Sequence, residues 1–146
     1  MERLFYWKRL IQMSRELSGM PIPQTLVHGD LNMSNVAQQE GHYLFYDWTD
    51  ACVSHPFFDM FLSHVSGDLN GVSMSEVYFA PWQAWTDRET IDKIWTLSIP
   101  LCYLHYGVKY QSLVGNLPDL SEESKGEWMD DWHTILKFLG KWCREN

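Results

Sequence analysis

Apolar and polar residues along residues 2–18 follow the spacing of an amphipathic helix. The apolar positions recur three to four residues apart, with charged residues between them, at Leu4, Trp7, Leu10, Ile11 and Leu17. Gly19, Pro21 and Pro23 come directly afterwards. Because glycine and proline disfavour a helix interior, we predict that this first helix ends before Gly19.

Short strands are predicted over the next part of the chain. Residues 25–27 are a run of β-forming residues, and residues 36–38 and 43–46 flank a turn that contains Gly41. Two such runs around a glycine turn are typical of a β-hairpin. Residues 28–35, between the first run and the hairpin, are therefore predicted to be a loop.

Helical spacing returns after Pro56. We predict four helical segments: one from Phe57 to near Gly67, one from Ser73 or Ser75 through Trp85, a long one capped by Asp87, and a last one capped by Ser121. Pro100 lies inside the long segment, so we expect a kink or a split into two helices there. The predicted fold class is mainly α with one small β-hairpin.

Length and composition restrict the kinds of protein that this chain can be. A chain of 146 residues predicts a single domain. The formal net charge of -8 argues against nucleic acid as the main partner, because such binding depends on clustered Lys and Arg. We found no apolar run long enough to span a membrane. The cysteines Cys52, Cys102 and Cys143 lie far apart, which predicts reduced, buried thiols in a cytoplasmic protein.

Three polar residues suggest phosphoryl transfer. Asp30 follows His28-Gly29, Asn35 comes five residues later, and Asp47 follows the predicted hairpin. Phosphoryl transfer needs a carboxylate that orients a hydroxyl and hard oxygen ligands for Mg²⁺. Each residue also has a plain structural interpretation, Asp30 as a turn former, Asn35 as a turn amide and Asp47 as a cap.

The three residues belong to a longer pattern, HGDLNMSN, YLFYDWTDA and SHPFFDM, over residues 26–60. This pattern resembles the Brenner motif of the aminoglycoside phosphotransferase and choline kinase superfamily. The resemblance implies the C-terminal lobe of a protein-kinase-like fold, with the catalytic loop and hairpin at 26–60 and a helical subdomain at 61–146. It implies that Asp30 is the catalytic base, that Asn35 and Asp47 bind Mg²⁺ and through it the nucleotide, and that His28 and Asp59 support the loop structurally.

Two features depart from the family pattern. Asn32 stands where the family usually has a second His, which leaves the local loop contacts open. Gly19 is the one glycine among the 27 residues before His28, so we expect the nucleotide-clamping, β-rich N-terminal lobe to be absent from this polypeptide. The first helix also has no N-cap signal. The chain would then be a fragment, a truncated product or a natural one-lobed relative.

The function implied is transfer of the γ-phosphate of ATP or GTP to a hydroxyl of a small, amine-bearing or neutral molecule. We expect little activity unless the missing lobe is supplied in cis or in trans. One alternative is a non-catalytic binding module that retains a relic metal site, and another is a metal-dependent hydrolase. The acidic stretch at residues 122–131 is interpreted as a solvated helix face, with attraction of an amine-bearing substrate as the alternative.

Overall fold

The computed structural model describes residues 2–60, 68–69, 72–116 and 121–145. The helices are α1 (Glu2–Ser18), α2 (Phe57–Met60), α3 (Met74–Phe79), α4 (Arg88–Asn116) and α5 (Glu122–Glu145). The strands are β1 (Thr25–Val27), β2 (Val36–Gln39), β3 (His42–Phe45), β4 (Cys52–Ser54), β5 (Asp68–Leu69) and β6 (Val72–Ser73). Short 3₁₀ turns cover Met33–Asn35 and Ala80–Ala84. The mainly helical class with a small antiparallel sheet is confirmed.

The chain divides into two compact units, one of Met1–Ser18 with Thr96–Asn146 and one of Gly19–Trp95. In the first unit, α1 buries Leu10, Met13 and Leu17, which are spaced for one helix face. Trp7 and Ile11, which we expected on that face, are 54% and 37% exposed. The buried stripe is therefore narrower than the run of apolar residues suggested. Tyr103 of α4 and Phe138 of α5 stack with ring centroids 5.3 Å apart.

The second unit contains the predicted hairpin and two small sheets that we did not predict. In the hairpin, β2 pairs with β3 from Val36 opposite Phe45 to Gln39 opposite His42. Glu40 and Gly41 form its two-residue turn, with φ angles of 51° and 80°, which are the left-handed values of the tight turn that matches strand twist. The strand β1 pairs with β4, and β5 with β6, both antiparallel. The paired residues of β1 and β4 lie 25 or more positions apart in sequence, so no local pattern indicated that pairing.

The core of the second unit forms around Phe57, at the start of α2. Its side chain is fully buried. It stacks on Phe79 at 5.3 Å and meets Tyr78 and Trp95 edge-on at 5.8 and 6.2 Å. Rings of this size dominate burial, and each edge-on or offset pair adds about 1 kcal/mol. This cluster fixes α2, and with it the acidic residue Asp59 in the first turn.

The predictions for the long helix were partly right. Asp87 caps α4 as expected, because its carboxylate accepts the Thr90 N–H at 2.8 Å. The helix is continuous through Pro100, so the expected split was wrong. Pro100 is buried there, and packing offsets the lost backbone bond. The helix predicted to run through Trp85 is instead α3 followed by a 3₁₀ turn.

Other expectations also change. Cys102 is buried as predicted, Cys52 on β4 is exposed and so was wrongly predicted, and the side chain of Cys143 lies outside the described part of the structure. The end of the predicted 57–67 helix lies outside the described residues, as do the side chains of the acidic stretch at 122–131. Along the part of the chain that the structure describes, no helix has both the length and the hydropathy of a membrane span.

The buried residue His55 makes the fold sensitive to acid. Its side chain is 7% exposed, and burial lowers the pKa of His55 from 6.5 to about 4. The unfolded chain therefore binds one more proton than the folded chain between these pH values. The contribution of His55 to the free energy of unfolding is full above pH 6.5 and decreases as the pH falls towards 4. We predict a loss of about 1 kcal/mol per pH unit below pH 6, measured by urea unfolding.

The matched variants for this prediction are His55→Asn and His42→Asn. An Asn at position 55 keeps an acceptor for the Phe57 N–H, which His55 Nδ1 accepts at 3.3 Å, but does not titrate. We expect His55→Asn to flatten the pH dependence, whereas the exposed hairpin variant His42→Asn leaves it unchanged. An equal slope in His55→Asn and the parent chain would contradict the assignment.

Candidate active site

A single carboxylate holds the backbone of the loop that follows β1. Asp59 Oδ2 accepts the His28 N–H at 2.8 Å, and Asp59 Oδ1 accepts the Gly29 N–H at 2.9 Å. Asp59 is 9% exposed, so these bonds replace most of the water that the carboxylate would otherwise have. The two carboxylate oxygens accept one hydrogen bond each from two consecutive backbone amides. This pair of bonds fixes the direction of the backbone directly before Asp30.

Gly29 occupies a position that no other residue fits. Its φ angle is +78°, in the left-handed region. A Cβ at this position would lie 2.3 Å from the backbone carbonyl oxygen of Asp50. The loop therefore passes directly against the segment that follows the hairpin, and the glycine permits both the turn and the close approach.

His28 connects the same loop to the end of the hairpin. Its side chain is 2% exposed, and Nε2–H donates to the Tyr46 carbonyl oxygen at 2.9 Å. The imidazole lies 4.7 Å from the indole of Trp48, centroid to centroid. Since the acceptor is a carbonyl, this bond requires a proton on Nε2. His28 thus connects the loop to Tyr46, the residue that directly precedes Asp47.

Asp30 and Asn35 are brought into direct contact by the 3₁₀ turn between them. Asn35 Nδ2 donates to the Asp30 backbone carbonyl at 2.9 Å and to Asp30 Oδ2 at 3.3 Å. Asn35 is 7% exposed, whereas Asp30 is half-buried. Because the amide nitrogen faces Asp30, the Oδ1 of Asn35 is the atom that a cation would meet.

Asn32, the residue that departs from the family pattern, shapes this turn. Its Oδ1 accepts the Ser34 N–H at 2.9 Å, which caps the 3₁₀ turn, and its Nδ2 donates to the Asp30 carbonyl at 3.2 Å. Asparagine is one of the best residues at such a cap. The local contacts that the sequence left open are therefore made by the amide of Asn32.

Asp47 follows β3 and leaves the strand in a left-handed conformation, with φ +60°. Its side chain is exposed, and Oδ1 accepts the Thr49 hydroxyl at 2.6 Å. The preceding residue, Tyr46, donates its N–H to the Asn35 carbonyl at 3.1 Å. Asp47 is thus one residue beyond the point where the hairpin meets Asn35, while its carboxylate contacts Thr49. Non-glycine residues with left-handed φ angles are rare in proteins, and those that occur are enriched at functional sites.

The whole of this arrangement lies within one family match. The model of the phosphotransferase enzyme family matches residues 3–92, more than half of the chain. The chain belongs to that family. Nothing matched in the comparison with curated proteins or in the comparison with solved structures. Because the chain belongs to the phosphotransferase enzyme family, the chemistry that the family suggests is a kinase-type phosphoryl transfer.

The oxygen donors expected from the sequence to bind a cation are few and hard. Within the described residues, no group of three or more His, Cys, Asp or Glu side chains is arranged to hold a metal ion. Asn35 and Asp47, the ligands expected from the sequence, would contribute one amide oxygen and one carboxylate. Mg²⁺ is often bound by one or two protein oxygens, with water and substrate phosphate completing its shell. The chemistry of these two side chains fits that mode of binding.

The surroundings of Asp59 also involve Tyr78, which the sequence did not indicate. The Tyr78 hydroxyl donates to the Pro56 carbonyl at 2.8 Å. Burial, and secondarily the charge of Asp59, raise the pKa of Tyr78 above its usual range. The phenol stays neutral and holds the start of α2, from which Asp59 reaches the loop. Its contribution depends on tertiary contact between segments 22 residues apart, so no sequence motif marked it.

Two glycine variants test the close approach at Gly29. Gly29 and Gly41 have nearly the same φ angle, 78° and 80°, but a Cβ at Gly41 would meet nothing within 4 Å. We predict that Gly41→Ala costs about 1 kcal/mol, the intrinsic strain of a left-handed alanine. Gly29→Ala carries the same strain and also displaces the Asp50 backbone, so we expect a loss of about 3 kcal/mol or more.

The measurement is the free energy of unfolding in urea for both variants and the parent chain. The difference between the two variants isolates the steric contact, because the backbone strain is common to both. Equal losses in Gly29→Ala and Gly41→Ala would show that the loop does not press against Asp50 in solution.

Proposed function

We propose that this chain is the catalytic-loop lobe of a small-molecule kinase, which transfers the γ-phosphate of ATP or GTP to an acceptor hydroxyl. One observation carries the proposal: hydrogen bonds join Asp30 to Asn35 and Asn35 to Tyr46, the residue directly before Asp47. Asn35 donates to Asp30 through its side chain and accepts from Tyr46 through its backbone, and Tyr46 directly precedes Asp47. Family membership supports the reaction class.

Asp30 is the proposed base. The carboxylate orients the acceptor hydroxyl, whose oxygen forms a bond to the γ-phosphorus as the bond to the β-phosphate oxygen breaks. The nucleoside diphosphate leaves, and the hydroxyl proton passes to Asp30 late in the step. The amide of Asn35, whose Nδ2 lies 3.3 Å from Asp30 Oδ2, would hold the carboxylate in one orientation.

Asn35 and Asp47 are the proposed Mg²⁺ ligands, and through the ion they would bind the nucleotide phosphates. When bound, the ion supplies neutralisation of the charge on the phosphate oxygens. The left-handed turn at Asp47 directs the chain out of the ladder at the residue where the carboxylate is needed. In the same scheme His28 and Asp59 are supports, since the side chains of both make hydrogen bonds to backbone atoms.

A second lobe is part of the proposal. Upstream of His28 the described residues form α1 and β1, and kinase-type transfer needs a further loop over the phosphates. We propose that a β-rich lobe, in cis or in trans, provides those contacts and that this chain alone transfers little phosphate. The acidic net charge of -8 is compatible with a neutral or amine-bearing acceptor.

The decisive experiment is nucleotide binding by the full chain with Mg²⁺, measured by titration calorimetry. We predict that Asp47→Asn weakens Mg²⁺-dependent ATP or GTP binding by about tenfold or more, because a charge-assisted contact is lost. Asp30→Asn should change the affinity by less than about threefold, since a base contacts the acceptor instead of the metal. Glu40→Gln removes the same charge at the exposed hairpin tip and serves as the control.

Other outcomes favour the alternatives. No binding at millimolar nucleotide, or equal binding by the parent chain and Asp47→Asn, contradicts the kinase proposal and favours a non-catalytic module. Hydrolysis of a phosphoester in the absence of any acceptor, abolished by Asp30→Asn, favours a metal-dependent hydrolase in which water replaces the acceptor hydroxyl.

A further inference from the structure

The hairpin ladder ends abruptly beside the proposed metal ligands. Its register places Val36 opposite Phe45, and the Tyr46 N–H to Asn35 carbonyl bond extends the pairing by one step. Continued pairing would place Ser34 opposite Asp47. Asp47 instead turns away with φ +60°, so its backbone no longer follows the strand.

Beyond the last backbone pair, the side chain of Tyr46 makes the next hydrogen bond between the two segments. Its hydroxyl donates to the Ser34 carbonyl oxygen, the acceptor that lies opposite the departing Asp47. Tyr46 therefore makes three bonds around the site: its N–H donates to Asn35, its carbonyl accepts from His28, and its hydroxyl donates to Ser34. The residue directly before Asp47 is thereby attached to the 3₁₀ turn and to the loop.

We propose that Tyr46 is a positioning residue of the Mg²⁺ site, an inference that rests on the proposed function. The hydroxyl holds the Met33–Asn35 turn against the end of β3 where the ladder has ended. It thereby sets the spacing between Asn35, inside the turn, and Asp47, the second residue after β3. Two hard ligands on separate segments bind a small cation well only when their spacing is held.

Packing does not account for this hydroxyl. The Tyr46 side chain is 48% exposed, so a phenylalanine at this position would leave no cavity and bury no new surface. The two backbone bonds of residue 46 do not depend on the side chain. Tyr46→Phe therefore removes a single hydrogen bond at the open end of the ladder and leaves the rest of the hairpin intact.

The experiment uses the full chain and Mn²⁺, whose binding is followed by loss of the free-ion electron paramagnetic resonance signal. A hydrogen bond of this kind corresponds to a change of about 2- to 10-fold in an equilibrium constant. We expect Tyr46→Phe to raise the Kd for Mn²⁺ within that range. Tyr43→Phe, which removes a hydroxyl from a 65% exposed ring on the same hairpin, should leave the Kd unchanged.

A variant pair shows whether Tyr46 acts through Asp47. On an Asp47→Asn background, Tyr46→Phe should have little further effect on Mn²⁺ affinity, because the ligand that it positions is already impaired. A fully additive effect would overturn the positioning role. Urea unfolding separates the other possibility: a hydroxyl that serves only stability lowers the unfolding free energy of Tyr46→Phe without any change in Kd.

The two proposals fail in different ways. If the parent chain binds Mn²⁺ and the Kd of Tyr46→Phe equals that of Tyr43→Phe, the role of Tyr46 is overturned and the metal site stands. If the parent chain does not bind Mn²⁺ even at millimolar concentration, the metal site itself is overturned, and Tyr46 has nothing to position.

Discussion

The candidate site depends on one buried carboxylate that accepts two consecutive backbone amides. Asp59, held at the start of α2 by the packing of Phe57, binds the N–H groups of His28 and Gly29. A carboxylate that loses such partners inside a protein costs several kcal/mol, so the pairing is strongly enforced. The aromatic core of the second unit thereby determines the path of the loop that presents Asp30.

From this anchor the geometry extends through two unusual backbone positions. Gly29 is left-handed and leaves free the space that the Asp50 carbonyl occupies, and Asp47 turns left-handed after the hairpin. The bond between His28 and the Tyr46 carbonyl connects the two. Strained positions of this kind persist only where surrounding contacts determine them. Here the contacts come from α2, the hairpin and the 3₁₀ turn together.

Membership in the phosphotransferase family and this local geometry point to the same chemistry by different routes. The family match concerns the order of residues along the chain, whereas the contact between Asn35 and Asp30 concerns their placement in space. The second unit contains all of these residues. The first unit, built from α1, the later part of α4 and α5, is a separate helical assembly with its own buried core.

The sequence alone determined the local elements: α1 up to Gly19, the hairpin around Gly41 and the Asp87 cap, because periodicity, turn residues and caps act over a few positions. It also identified Asp30, Asn35 and Asp47 as candidates. Only the tertiary structure decided that β1 pairs with β4, that α4 continues through Pro100, and that Asn32 and Tyr46 shape the site. These outcomes depend on packing and hydrogen bonds between segments brought together by the fold, and no local pattern contains that information.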